Sequence, residues 1–527
     1  MNPVQVFELM IAMLCAIIAL QYAARKLRLP PAVALLAGGS ILAFLPGVPS
    51  VSLNPELVLI VFLPPLLMDG AYFTPLAHFR RHLAGIFSLA VGAVLFTTIV
   101  VAVVAHALMP TLPWAACAAL GAIVSPPDAI SAKAVLQRVR LPRRLSTLLE
   151  GESLLNDATG LVLFRFAIAA AATGTFSVVD ALGTFFVLVL GGVAVGVAIG
   201  ALWVLTVRRL EDEYLIIAAS VLTCWIAYLA GEMLHVSGVI ATVTTGLISG
   251  WYQHVTFSAS IRIRGTSFWT VVTFLLEAAV FILIGSALRG VVERAGGLPV
   301  IVDQMGLPIL LIVLAMIVAR LLWVYGSDMV VGLLRRLGLT RRSPLGPKAA
   351  TILGWAGMRG VVTLAVALTL PETMPGRDFM LVTAFAAIFA TVLIQGMTLG
   401  TLIRWLGVKE TEASHASLSL PQAEAALASA QLRTVEKHAF GEDGALIHPR
   451  LLEQYQRKAS NTATYSENVD QFAADLEAHF SVVLAAIAAG RAELIRLHRA
   501  GEIDDETLHE LERDLDLEEL SAIAATS

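Results

Sequence analysis

The chain has 527 residues, of which 57% are hydrophobic and only 14% charged, where a soluble domain carries about 25% charged residues. With a mean hydropathy of +0.80 and a net charge of −4, it excludes an ordinary soluble enzyme, a disordered chain and a nucleic-acid binder. The net charge hides a split. Residues 410–527 hold 9 Lys+Arg against 22 Asp+Glu, and residues 1–409 hold 27 against 18, so a body of +9 precedes a tail of −13. The body, 1–409, reads as an all-α polytopic membrane domain, and 410–527 as a small α-helical cytoplasmic tail.

A membrane helix needs about 20 apolar residues. In chain order the candidate spans are 4–24, 30–47, 56–73, 83–108, 113–137, 144–173, 178–206, 214–234, 236–251, 268–290, 304–332, 347–370 and 377–406, thirteen in all. The first has no basic n-region and no convincing cleavage site, so it reads as a retained span. Basic residues test the count. Odd-numbered loops hold 18 of them, from Arg25 to Lys348, and even-numbered loops hold 3, Arg289, Arg294 and Arg377. By the positive-inside rule the N-terminus lies outside and the tail is cytoplasmic. Cys15, Cys117 and Cys224 are far apart in apolar stretches, and small buried hydrophobes are expected rather than a disulfide or zinc site.

In the tail, residues 469–500 carry apolar residues at helical spacing, Gly501 is a stop, and Asp504 to Leu520 restarts the pattern. No phosphate-binding glycine motif occurs, so no nucleotide or other cofactor is expected.

A charge at the bilayer centre costs about 2.5–3.5 kcal/mol on insertion scales. Asp69, Asp128, Glu152, Asp157, Arg165, Glu277, Arg320, Asp328 and Arg359 all fall inside spans. Glu8 and Glu150 read as end-of-span residues. The densest group is Glu150-Gly-Glu-Ser-Leu-Leu-Asn-Asp157 in the sixth span. Glu152 and Asn156 are four apart, as are Ser153 and Asp157, so one polar face carries two carboxylates, a hydroxyl and a carboxamide. Such oxygen-rich sets suit a hard cation or a proton. The alternative is a polar network that ties helices together.

The fifth span contains Ser125-Pro-Pro-Asp128, and two adjacent prolines cannot continue a helix. The twelfth contains Gly354-Trp-Ala-Gly-Met-Arg-Gly360, where three glycines weaken the helix around Arg359. An intramembrane Arg needs a partner, and Glu152 is the candidate. Broken backbone inside a membrane is tolerated only against protein or a wet cavity. Spans five and twelve run in opposite directions, and paired interrupted helices in inverted halves point to the site of a secondary transporter.

These residues resemble the sodium/proton antiporters of the monovalent cation:proton antiporter family, in the bacterial part of its exchanger-like branch. The resemblance is carried by Ser125-Pro-Pro-Asp128, Glu150 to Asp157, His235-Val-Ser-Gly-Val-Ile-Ala241, Phe274-Leu-Leu-Glu-Ala-Ala-Val-Phe-Ile-Leu-Ile-Gly285 and Gly357-Met-Arg-Gly360, in that order, and covers most of residues 5–405. It implies about 13 transmembrane helices in inverted repeats with two discontinuous helices, a dimerisation and a core ion-transport subdomain, and a homodimer among membrane lipids. It implies electroneutral one-for-one exchange of Na⁺ for H⁺ at Asp157, beside Asn156. Asp128, Ser153 and the backbone carbonyl of Pro127 would help hold Na⁺, and Glu152 with Arg359 would be a structural ion pair.

The absence of a lysine among the six in the chain from any mid-span position agrees with electroneutrality. One departure stands out. Many members have Thr-Asp-Pro where this chain has Pro127-Asp128-Ala129, which opens the choice among Na⁺, Li⁺ and K⁺ and makes a K⁺/H⁺ or broad alkali-cation/H⁺ antiporter the alternative. A cation channel needs a selectivity ring, and no filter-like repeat is present. An intramembrane protease would use Asp128 and Asp157 as a dyad. Glu277, Asp69, Asp328, Arg165 and Arg320 are read as structural.

Overall fold

The computed structural model describes residues 3–45, 55–128, 141–174, 178–408, 418–440, 445–467 and 469–526. Among them the secondary structure is helical apart from one isolated β-bridge, Phe440 with Leu446. The chain divides into two compact units, Met1–Thr411 and Glu412–Ser527.

The first unit runs α1 Pro3–Lys26, α2 Pro31–Ala43, α3 Pro55–Tyr72, α4 Leu76–Leu108, α5 Trp114–Val124, α6 Arg143–Thr173, α7 Val178–Val207, α8 Glu213–Met233, α9 Gly238–Thr256, α10 Ala259–Arg294, α11 Leu298–Arg336, α12 Pro347–Trp355, α13 Val361–Leu368 and α14 Arg377–Leu406. Each of the predicted stretches holds helix. Seven helices among the described residues are long and apolar enough to cross a membrane. Three departures have local causes. α4 starts at Leu76 because its first turns are amphipathic: Phe79 and Ile86 are buried while Arg80 and Arg81 are exposed. α10 starts at Ala259, where the Ser258 hydroxyl accepts from the Ile261 N–H and caps the first turn. α5 ends at Val124, at the two prolines. The rest of that predicted span beyond Asp128, with Ala129, Lys133, Arg138 and Arg140, lies outside the described residues.

The helices form two bundles. α2, α3 and α7–α10 pack on one another, with α1 on α2. α4, α5 and α6 pack with α11–α14. The bundles meet where α6 touches α3 and α9, where α13 touches α3 and α10, and where α14 touches α2 and α10. Lipid tails are as apolar as leucine, so helices in a membrane associate through close packing of small residues. The α2–α10 contact shows this. A Cβ on Gly39 would lie 2.6 Å from the Ile282 carbonyl, and one on Gly285 would lie 2.6 Å from the Leu36 carbonyl. α4 contains a π turn, Ser88–Ala93. The carbonyl of Ser88 accepts from Trp323 Nε1 at 2.9 Å, so α11 satisfies backbone in α4. Of the three cysteines, Cys117 and Cys224 are buried as expected, whereas Cys15 lies on the outer face of α1.

The second unit comprises α15 Leu420–His438, α16 Pro449–Glu467, α17 Val469–Arg499 and α18 Asp505–Thr526. α15 packs on α16, and α17 on α18. The expected stop at Gly501 is a residue with φ of 72°. Asp504 caps α18 by accepting from the Thr507 N–H at 2.8 Å, and hydrogen bonds from Thr507 hold its carboxyl below the usual carboxylate range. A group with a depressed folded pKa contributes stability above its unfolded pKa and loses it as pH falls through the folded value. Amide protection at the start of α18, taken relative to the intrinsic exchange rate at each pH, is therefore expected to fall on acidification below the ordinary Asp range, and in Asp504→Ala already at neutral pH. Hydrogen exchange of the full chain across a pH series measures both.

Candidate ion site

α6 carries the polar face. Glycines let it sit deep. A Cβ on Gly151 would lie 2.5 Å from Ile86 Cδ1, and one on Gly160 would lie 2.2 Å from Pro126 Cγ. The second contact seats the double-proline break directly on α6. Glu152, Asn156 and Asp157 are all buried, and Ser153 is half-buried. The i, i+4 face read from the sequence therefore points inward.

The break after α5 is held from several sides. Ser125 Oγ donates to the Gly121 carbonyl at 2.5 Å and accepts from Thr98 Oγ1 at 2.9 Å. The Pro127 carbonyl accepts from Asn156 Nδ2. The second break, Ala356 to Gly360, separates α12 from α13. The two breaks meet: the Asp128 N–H donates to the Met358 carbonyl at 2.6 Å. Gly360 is required there, since a Cβ on it would lie 1.7 Å from Asp128 Oδ2. Residues from spans five, six and twelve are thus brought to one place.

Arg359 neutralises carbonyl ends. It donates to the Val124 carbonyl at 2.5 Å, where α5 ends, and to the Gly357 carbonyl at 2.9 Å, just past α12. Its backbone N–H donates to Thr391 Oγ1 of α14 at 2.9 Å. Helix C-termini carry partial negative charge, so the guanidinium sits against two of them. The expected pairing of Glu152 with Arg359 is corrected here. Glu152 takes a bidentate pair with Arg320 of α11, at 2.5 and 2.9 Å, and both side chains are almost fully buried. Arg320 also donates to the Leu353 carbonyl at 3.2 Å. Its proximity follows from Gly357, where a Cβ would lie 2.3 Å from Arg320 Cδ. The sequence marked Arg320 only as a charge out of place. Nothing in a linear reading decides which of two intramembrane arginines reaches Glu152.

With Arg320 occupied by Glu152 and Arg359 by carbonyls, Asp157 is left without a cation. Among the described residues none donates a hydrogen bond to its carboxylate, and the charged neighbour it feels is Asp128, of like sign. Asn156 Oδ1 is buried and has no partner among the described residues. A buried carboxylate and a buried amide oxygen without donors leave lone pairs that a cation or an added proton would satisfy.

The other intramembrane charges have other tasks. Arg165 pairs with Glu232 of α8 at 3.1 Å. Asp328 accepts from the Leu345 N–H at 2.5 Å and the Gly346 N–H at 3.1 Å, which pins the turn leading into α12. Asp328→Ala should lower stability by about 1–3 kcal/mol, the cost of stranding part-buried donors, read as a lower melting temperature of the purified protein. Asp69 lines a small, mostly apolar cavity with Tyr72, Trp203, Arg262 and Trp269. None of the residues around Asp157 lines it. Glu277 is half-buried on α10. Glu150 accepts from Ser146 Oγ at 2.9 Å on the exposed side of α6, and Glu8 is exposed, as expected for ends of spans.

Comparison with known proteins places this architecture. The chain is 30% identical to an uncharacterized Na⁺/H⁺ exchanger of Mycobacterium tuberculosis, over 97% of this chain and 95% of that one. It is 30% identical to a sodium, potassium, lithium and rubidium/H⁺ antiporter of Bacillus pumilus, over 80% of this chain and 64% of that one. The solved sodium proton antiporter MjNhaP1 from Methanocaldococcus jannaschii shares the fold, with a TM-score of 0.60 and 20% identity over 76% of this chain and all of that one. The family described as sodium/hydrogen exchanger, transmembrane, matches residues 9–405, and the chain belongs to it.

Proposed function

We propose that this protein is a secondary antiporter that exchanges a monovalent cation, Na⁺ first, for H⁺ through competition at Asp157. The observation that carries the reading is Asp157 itself: buried, without a counter-cation or a donor among the described residues, beside the orphaned Asn156 Oδ1 and the like charge of Asp128. A carboxylate stripped of water resists standing charged and alone. It takes a proton or a cation, and the two exclude each other. Asp128, Ser153 and the Pro127 carbonyl complete an oxygen set for the ion. The Pro127 carbonyl already accepts from Asn156, so in this reading the ion shares that oxygen or displaces the amide. Glu152 stays bound to Arg320 and takes no part in carriage.

The α4–α6 and α11–α14 bundle would move past the other bundle, which would form the homodimer. Thirteen crossings, an outside N-terminus and a cytoplasmic tail are supported by the alternation of basic loops, and a plasma (inner) membrane location by the resemblance to bacterial antiporters. The site has one carrier carboxylate and no free fixed cation beside it among the described residues, which supports one-for-one electroneutral exchange.

A broad alkali-cation reading has a specific observation behind it. Pro127 offers only a backbone carbonyl where the family resemblance implies a threonine hydroxyl. The relative from Bacillus pumilus bears a name covering Na⁺, K⁺, Li⁺ and Rb⁺. The test is proton flux in sealed vesicles containing purified protein, with an internal pH dye and additions of Na⁺, Li⁺ and K⁺, with and without clamped potential. Cation-driven pH change indifferent to potential is expected, and the cation series separates the narrow from the broad reading. Flux that follows the clamped potential would overturn electroneutrality, and no cation-coupled flux at any pH would overturn exchange.

A further inference from the structure

We infer that Arg165 and Glu232 form a gate bond between the two bundles, closed in this conformation and broken in each transport cycle; the inference rests on the exchange reading above. Arg165 stands on α6, the helix of Asp157, eight residues further along, which at 1.5 Å per residue is about 12 Å. That end of α6 is the one away from Arg143 and Arg144, hence away from the arginine-rich side. Glu232 stands at the end of α8, in the other bundle, where α8 packs on α3, α7, α9 and α10. The bond, Nη2 to Oε2 at 3.1 Å, therefore joins the helix that carries the ion to the scaffold beside it.

Three features fit a gate rather than a brace. First, Glu232 is fixed from its own side. Its other oxygen, Oε1, faces the N–H of Gly238 at 3.4 Å, at the start of α9. A Cβ on Gly238 would lie 3.2 Å from that oxygen. The scaffold thus presents a ready anion to a guanidinium that arrives and leaves. Second, the pair is half-exposed, 44% for Arg165 and 32% for Glu232, and such pairs contribute little net stability. A contact that opens every cycle needs that weakness. Third, three other ion pairs of this unit each stay within one bundle: Glu152 with Arg320 in one, and Glu213 with Arg264 and Glu293 with Arg289 in the other.

The test tethers the two positions. Arg165→Cys and Glu232→Cys are made together in a chain whose Cys15, Cys117 and Cys224 are replaced, and are bridged in vesicles by a reducible bifunctional thiol reagent, since two long side chains in contact leave their backbones too far apart for a direct disulfide. Bridging should cut exchange at least about tenfold relative to the same protein unbridged, and reductant should restore it. Bridged protein that exchanges at the unbridged rate overturns the gate. Charge reversal gives a second readout. Arg165→Glu and Glu232→Arg singly should change the exchange rate by roughly three- to fivefold, the scale of an exposed pair. The double reversal should return it towards wild type with the melting temperature unmoved. A melting shift with no coupling in rate would make the pair a brace and overturn the proposal. If the wild type itself shows no cation-coupled flux, the exchange reading fails and the gate falls with it, a result distinct from intact exchange through a bridged gate.

Discussion

Asp157→Asn should abolish cation-coupled proton flux while leaving the fold in place. The substitution keeps the shape of the side chain and removes its charge and its titration. At an effective dielectric of about 20, a unit charge 4 Å from a cation is worth roughly 4 kcal/mol, or about a thousandfold in cation affinity at 1.36 kcal/mol per tenfold. The proton half-cycle fails for a separate reason, since a carboxamide has no proton to release in this pH range. Flux in vesicles and a melting curve, measured on the same preparation, distinguish loss of the carrier from loss of the protein. Residual exchange within about tenfold of wild type would move the carrier elsewhere, with Asp128 the next position to test. Asp128→Asn should act differently. Its N–H bond to Met358 is made by the backbone and survives, so the expected change is in apparent cation affinity more than in maximal rate.

The helices and the crossing were legible in the sequence for physical reasons that a single chain already carries. Two prolines cannot donate to a helix and marked the break after α5, although the same pair at 64 and 65 stands inside α3, so the proline pair alone does not fix a break. Glycines at 354, 357 and 360 marked the second break. The i, i+4 spacing of Glu152 and Asn156 put the polar face on one side of α6. Partner choice was not legible. Glu152 had two intramembrane arginines to select from, and the outcome depends on how close α11 approaches the α12–α13 break. That distance is set by Gly357, whose missing side chain makes room for Arg320. The role of Arg359 was hidden for the same reason. Its acceptors are backbone carbonyls at helix ends, and carbonyls have no signature in a sequence. The pairing of Arg165 with Glu232 joins helices 67 positions apart, beyond any periodicity argument. In the tail, the helices from residue 469 onward were visible as apolar spacing.

Breaking the Glu152–Arg320 pair should be the most damaging change to stability in the protein. Arg320→Met leaves a carboxylate buried with no partner, and removing one member of a buried pair typically costs about 3–5 kcal/mol. Glu152→Gln strands the guanidinium, whose Nε already lacks a partner among the described residues, and should cost a similar amount. Low yield in the membrane and a melting temperature well below wild type are the expected readouts. The double replacement Glu152→Gln with Arg320→Met should recover much of the loss, because neither charge is then left without its opposite, and such exchanges of buried pairs are often neutral. The same cycle run between positions 152 and 359 separates the two arginines. Arg359 is held by carbonyls of Val124 and Gly357 rather than by Glu152, so Arg359→Gln should unsettle the crossing of the broken helices whatever stands at 152. A coupling energy of about 2 kcal/mol or more between 152 and 320, against a much smaller one between 152 and 359, is the expected pattern. The reverse pattern would reinstate Arg359 as the partner and reopen the charge balance around Asp157. With Arg320 freed, a fixed cation would stand near the carrier, and exchange through that site would no longer need to be electroneutral.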